Sequence, residues 1–236
     1  MSARGAASTS ERARAVAEEL LGKGAGAVDA AVGGYLALCV GSAELFLSPL
    51  SLLVWSGAGR PHCFDGRALQ PGLSLARPRG AVSDRAVLPA ARAAVPRAPQ
   101  AALLAHSAFG RRTLAEVGKV ALAGAKRTAG AERTELLGAF VRLGALALRS
   151  GAYLTACLRD AGPHAGGQLT DADLLELQVA DLPGAVRAFP SPVQGSTEVA
   201  VEAFAEGAAS PARFAQRHLV VTQDTFGQAA CLALHE

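Results

Sequence analysis

The stretch from about Ala27 to Val40 constrains this chain more than any other. It is almost wholly apolar, its one charge is Asp29, and small residues (Ala27, Ala30, Ala31, Gly33, Gly34, Ala37) recur along it. A helix that is apolar all round has no solvent side, so this one is expected to be a buried spine with other backbone packed close against it. Asp29 falls near the positive end of that helix, where a carboxylate is stabilised. Upstream, Ala13, Val16, Ala17, Leu20 and Leu21 recur at helical spacing, and Gly22, Gly24 and Gly26 then interrupt the pattern. The opening is therefore a short amphipathic helix, a glycine break and a buried helix.

The rest of the composition narrows the class. Half of the 236 residues are apolar and 18% are charged, which gives a globular chain able to bury roughly 70 to 75% of its unfolded surface. A net charge of +3 with 5% aromatic residues leaves little for a nucleic-acid surface, which needs basic patches and stacking rings. Residues 1–10 are small and polar and read as a flexible tail ahead of one domain, 11–236, with no apolar run suited to a signal peptide. No segment has the uninterrupted apolar length of a membrane span. The expectation is a cytoplasmic protein without membrane or nucleic-acid partners. Cys39, Cys63, Cys157 and Cys231 are widely spaced in apolar surroundings, which fits reduced core thiols better than a disulfide framework or a metal site. Neither metal nor cofactor is expected.

Along the chain, Leu50 to Trp55 and His62 to Asp65 read as two strands around a Gly-containing turn. From Pro71 to Gln100 prolines and arginines (Arg77, Arg79, Arg85, Arg92, Arg97) follow no helical order, so this stretch reads mostly as surface connection with short helical pieces and a solvated charged face. Helices are expected over Thr113 to Ala125, Arg133 to Arg149 and Ala152 to Asp160. In Gly166-Gly167-Gln168-Leu169-Thr170-Asp171-Ala172-Asp173-Leu174, Thr170 is a helix N-cap and Asp173 completes a capping box. Arg217 to Gln223 and Gln228 to Leu234 read as strands joined by a turn.

Taken in order, these segments resemble the gamma-glutamyltranspeptidase family. Ala27-Val28-Asp29-Ala30-Ala31-Val32 matches its Gly-Asn-Ala-Val-Asp-Ala-Ala-Val element, and Phe64-Asp65-Gly66-Arg67 its Asp-Gly-Arg element. Gly166 to Leu174 matches its Gly-Gly-x-Leu-Thr-x-x-Asp-Leu, and Phe189-Pro190-Ser191-Pro192 with Gly195-Ser196-Thr197 lies where the family has prolines, serines and glycines, a resemblance that implies a helix next, over Glu198 to Glu206. His218-Leu219-Val220-Val221 falls on its Thr-Thr-His-Phe-Ser-Val-Val. The resemblance implies an α+β fold, a shortened αββα sandwich of the N-terminal-nucleophile hydrolase type with a large helical part. It also implies that Arg67 holds the position that binds a ligand carboxylate.

The resemblance fails where the chemistry should be. Gln216 and Arg217 stand in place of the two threonines, the first of which is the family's nucleophile, and the family's Gly-rich entry to the first hairpin is replaced by Ser42 to Pro49. No catalytic residue is assigned. Thr222 lies inside a strand with no base beside it in sequence. Ser2 opens a polar tail, His218 reads as a strand residue, and Gly195-Ser196-Thr197 reads as a helix cap. The expectation is a catalytically degenerate relative that binds a partner protein or a small amino-acid or peptide ligand through its carboxylate. The alternatives are an active amide hydrolase or gamma-glutamyl transferase, with a displaced nucleophile or completed by a separate chain, and a purely structural subunit. Because the family's small-subunit strands have no counterpart up to Glu236, the strand Gln228 to Leu234, apolar on both faces, is expected to leave an uncovered edge. Such an edge favours a homo-oligomer or a heteromeric partner.

Overall fold

The computed structural model describes residues 4–56, 61–72, 88–175, 180–183, 185–190, 197–202 and 216–235. Eight strands and eight α-helices are traced among them. Six strands form one antiparallel sheet in the order β1 (Gly5–Ser8), β7 (Gln216–Gln223), β8 (Ala229–His235), β2 (Leu50–Trp55), β3 (His62–Gly66), β4 (Ala180–Pro183). The other two, β5 (Ala185–Pro190) and β6 (Thr197–Glu202), pair as a separate two-stranded sheet.

Helix α1 (Glu11–Gly22) starts because Ser10, in extended conformation, accepts a hydrogen bond from the Ala13 N–H while Glu11 meets the helix dipole. Gly24, at φ +79°, turns the chain into α2 (Ala27–Gly41), and from Ala27 to Val40 every residue of α2 is buried. This is the expected spine. Its small residues set how near the neighbours come, since a Cβ on Gly34 would lie 2.8 Å from Val220 Cγ1 of β7 and one on Gly33 would strike Leu20 of α1. The sheet meets the helices through a row that register brings into line, Val220 opposite Leu232, Leu232 opposite Leu52, Leu52 opposite Phe64, with α2 against its β7 and β8 part and the helix Ala98–Phe109 against its β2 and β3 part. All four side chains are buried. Each contributes about 1.5 to 3 kcal/mol by leaving water.

The remaining helices wrap this unit. Helix α3 (Ala98–Phe109) buries Ala98, Ala101, Ala102 and Ala105 on one face, and those small side chains let it lie near Gly66 of β3, where a Cβ would come 2.8 Å from Ala101 Cβ. Helix α4 (Leu114–Ala121) has the Thr113–Glu116 capping box, and α5 (Ala125–Thr128) is one turn. Helix α6 (Ala131–Leu143) passes into a 3-10 segment, Gly144–Arg149, followed by α7 (Gly151–Ala161) and α8 (Asp171–Leu175). The 3-10 turn Glu44–Phe46 leads into β2. Leu45 and Phe46 are buried there, the Phe46 ring meets Phe140 edge-on at 5.2 Å, and its carbonyl accepts the Tyr35 hydroxyl at 2.7 Å.

Four expectations need correction. Residues 5–8, expected in a flexible tail, form the edge strand β1, with Ala6 opposite Thr222. Strand β8 has no uncovered edge, because β7 pairs with one side of it and β2 with the other. Residues 197–202 are strand β6, so Thr197 opens a strand and caps no helix, and the helix expected from Glu198 is not found in that stretch. Helix α3 was not anticipated, since its turns begin inside a Pro- and Arg-rich connection.

Candidate functional site

Arg67 follows β3 directly and is held by its own neighbourhood. Its backbone N–H donates to Asp65 Oδ1 at 3.0 Å, and its guanidinium clasps the same carboxylate side-on, Nε to Oδ1 at 2.8 Å and Nη2 to Oδ2 at 3.1 Å. The pair is unevenly placed: the Arg67 side chain is 44% exposed and that of Asp65 13%. From below, Nη1 of buried Arg97 stands 3.8 Å from Asp65 Oδ2. Arg97 thus departs from the solvated face expected for its arginine-rich stretch. Burial pushes the Asp65 carboxyl up, but the Arg67 hydrogen bonds and the charges of Arg67 and Arg97 outweigh it and hold the group below the ordinary carboxylate range.

The segment after Arg67 is pinned at two points. Leu69 and Val95 exchange backbone hydrogen bonds at 3.2 and 2.8 Å, and the Gly72 N–H donates to both oxygens of Asp173, at 3.1 and 2.9 Å. Gly72 adopts φ +98°, a conformation that favours glycine. Asp173 is buried and does two things at once. It accepts the Thr170 N–H (2.9 Å) and hydroxyl (2.8 Å), completing the expected capping box. Through Gly72 it also joins α8 to the Arg67 segment, so two motifs about a hundred residues apart in sequence meet.

A second cluster surrounds the start of α2. Asp29, fully buried, accepts from the N–H groups of Gly26 (2.9 Å), Arg111 (3.1 Å to each oxygen) and Arg112 (3.2 Å), and His106 Nε2 stands 3.3 Å from its Oδ1. Burial acts to raise its pKa, but His106 and these N–H groups hold it low. Gly110 makes the approach feasible, since a Cβ there would be 2.8 Å from Asp29 Oδ1. Asp224 serves the turn between β7 and β8, where its Oδ1 accepts from Phe226 (2.9 Å) and Gln228 (3.0 Å), and its Oδ2 takes the Ala27 N–H at 3.3 Å. Arg111 lies 4.1 Å above the Phe226 ring and 3.8 Å from Asp224. This cluster ties three segments together, and both carboxylates in it are enclosed.

The other nucleophile candidates are inaccessible or unsuited. Thr222 is 1% exposed and its hydroxyl donates to the Ala27 carbonyl at 2.7 Å. Burial pushes the Cys39, Cys157 and Cys231 thiols up, Cys231 to about 11, so each remains protonated and weakly reactive. His218 sits in β7 opposite Leu234, half-buried. Gln216 opens β7, with the irregularity in pairing between it and His218. Ser2, Arg77, Arg79, Arg85, Gly195 and Ser196 lie outside the described residues. Among the described residues no group of three or more His, Cys, Asp or Glu side chains is placed to hold a metal ion, and no helix is long and apolar enough to cross a membrane.

No protein-family model matches the sequence, and neither does any curated protein. Solved structures do match. The gamma-glutamyltranspeptidase from Pseudomonas nitroreducens complexed with L-DON superposes with a TM-score of 0.64 at 20% identity, over 82% of this chain and 69% of that one. The chain has the gamma-glutamyltranspeptidase fold. The Bacillus anthracis transpeptidase CapD gives 0.60 at 16% identity over 83% and 79% of the two chains. Cephalosporin acylase from Bacillus halodurans gives 0.68 at 15% identity over 98% and 65%. The α+β architecture expected from the resemblance is thus observed, with neighbours of the N-terminal-nucleophile hydrolase type. Asp65, Arg97, His106, Arg111 and Asp224 were not singled out from sequence as partners. Asp65 alone had a local signal, two residues before Arg67 in one motif.

Proposed function

We propose that this protein uses a gamma-glutamyltranspeptidase fold to bind a small amino-acid or peptide ligand by its carboxylate at Arg67, and that it does not cleave amide bonds. The observation that carries the reading is the start of β7. The resemblance puts the nucleophilic threonine there, and this chain has Gln216 and Arg217. Neither side chain attacks a carbonyl as a hydroxyl does, and the one hydroxyl residue of β7, Thr222, is buried and donates to Ala27. Arg67 supports the binding half of the reading. It retains its motif and its side chain is partly exposed, so its guanidinium is within reach of a ligand carboxylate.

The test has two arms. Intact-mass analysis of the purified chain together with a gamma-glutamyl anilide assay should show no self-cleavage and no turnover. Calorimetric titration with L-glutamate and glutathione should show binding that Arg67→Ala removes. A self-generated fragment beginning near residue 216, or turnover abolished by a point change, defeats the first half. No heat with either compound defeats the second.

A further inference from the structure

Resting on the carboxylate-binding reading of Arg67, we infer that Asp65 is a built-in competitor for that site, an autoinhibitory clasp that a ligand must displace. A carboxylate is bound most strongly by two parallel N–H donors of a guanidinium, and the Asp65 carboxylate already takes that geometry on Arg67, through Nε at 2.8 Å and Nη2 at 3.1 Å. It is also fixed in place for the task, since the Arg67 backbone N–H holds the same Oδ1 at 3.0 Å. The clasp opens outward. Arg67 is the exposed member, 44% against 13%, while Asp65 keeps a second cation, Arg97 Nη1 at 3.8 Å, on its buried side. Asp65 therefore has an electrostatic partner to fall back on when Arg67 turns to a ligand. Among the described residues, the charges that face Asp65 are these two guanidiniums, with Arg67 contributing more than Arg97.

Tethering makes the competitor effective. A group two residues away acts at an effective concentration on the order of millimolar or higher, so a monocarboxylate without other anchors does not displace it. A ligand with a second polar group does. If the clasp is closed about nine-tenths of the time, it weakens the apparent affinity about tenfold.

The experiment titrates L-glutamate and acetate into the full chain as wild type, Asp65→Asn, Arg67→Ala and the double variant. A parallel NMR titration of the wild type follows the Arg67 Nε–H resonance. The clasp predicts at least tenfold tighter L-glutamate binding by Asp65→Asn, measurable acetate binding only in that variant, loss of both in the double variant, and a shifted Nε–H resonance at saturation. Should Arg67→Ala abolish wild-type binding while Asp65→Asn binds no tighter, or should the Nε–H resonance stay put, Asp65 is a positioning residue. The inference then falls while the carboxylate-binding reading stands. Absence of binding by both wild type and Asp65→Asn overturns the two together. If Asp65→Asn does not fold, the wild-type resonance decides alone.

Discussion

Asp29 and Asp65 are two carboxylates of one chain, each held below the ordinary range by donors that outweigh the effect of burial, and they differ in what their donors are. Asp29 is itself fully buried and is bound by backbone N–H groups from two separate segments, with His106 beside it. Asp65 is bound chiefly by one side chain that is nearly half in water. Backbone donors cannot leave without moving the fold, whereas a guanidinium can rotate away. Equal perturbation of two acids thus marks a structural joint in one case and an exchangeable contact in the other.

Replacing Asp29 by Ala should have the largest effect, because four hydrogen bonds from three N–H groups lose a fully buried acceptor. A loss of about 3 kcal/mol or more is expected in urea unfolding, each stranded donor costing about 1 to 3 kcal/mol before relaxation. A loss below about 1 kcal/mol would erase the contrast with Asp65. Thr222→Val comes next, with about 1 kcal/mol lost for the bond to Ala27 and no change in L-glutamate binding. A change in that binding would put Thr222 in the site.

The acid limb of stability sharpens the same contrast. A carboxylate whose folded pKa is depressed stabilises fully above its unfolded pKa, near 4, and that contribution disappears as pH falls through the lower folded value. Wild-type stability should therefore fall below about pH 4, and Asp65→Asn should make the fall modestly shallower. An unchanged slope would mean that the clasp contributes nothing to folding. Smallest of all is Arg67→Ala, expected to cost about 0.5 kcal/mol or less, as for an exposed pair, while abolishing carboxylate binding. A large stability loss there would make Arg67 a brace.

Much of this architecture is legible from residue pattern. The buried helix, the two hairpins and the Thr170–Asp173 box follow from periodicity and capping chemistry, which act over a few residues. Strand β1 does not. Gly5-Ala6-Ala7-Ser8 has no strand character of its own and is extended because β7 lies beside it. The β2–β8 pairing was equally hidden, since local pattern shows hairpins but not which hairpins lie side by side, and the uncovered edge expected at β8 rested on the resemblance alone. At the candidate site Arg67 was visible through its motif. Arg97 was not, because 32 positions separate it from Asp65 and an arginine among prolines gives no sign of burial.

The pairing of β1 with β7 has a kinetic consequence. Ser8 donates to the Leu219 carbonyl across 211 positions of sequence, and the floor beneath α2 is built from β7 and β8, close to two hundred residues downstream. During synthesis, α1 and α2 leave the ribosome long before that floor exists. The most apolar helix of the chain then waits with its sheet-facing side uncovered, and a fold dominated by such distant closures forms slowly. Refolding of this chain should therefore be rate-limited by docking of the β7–β8 hairpin, with amide protection in α1 established earlier than in β1.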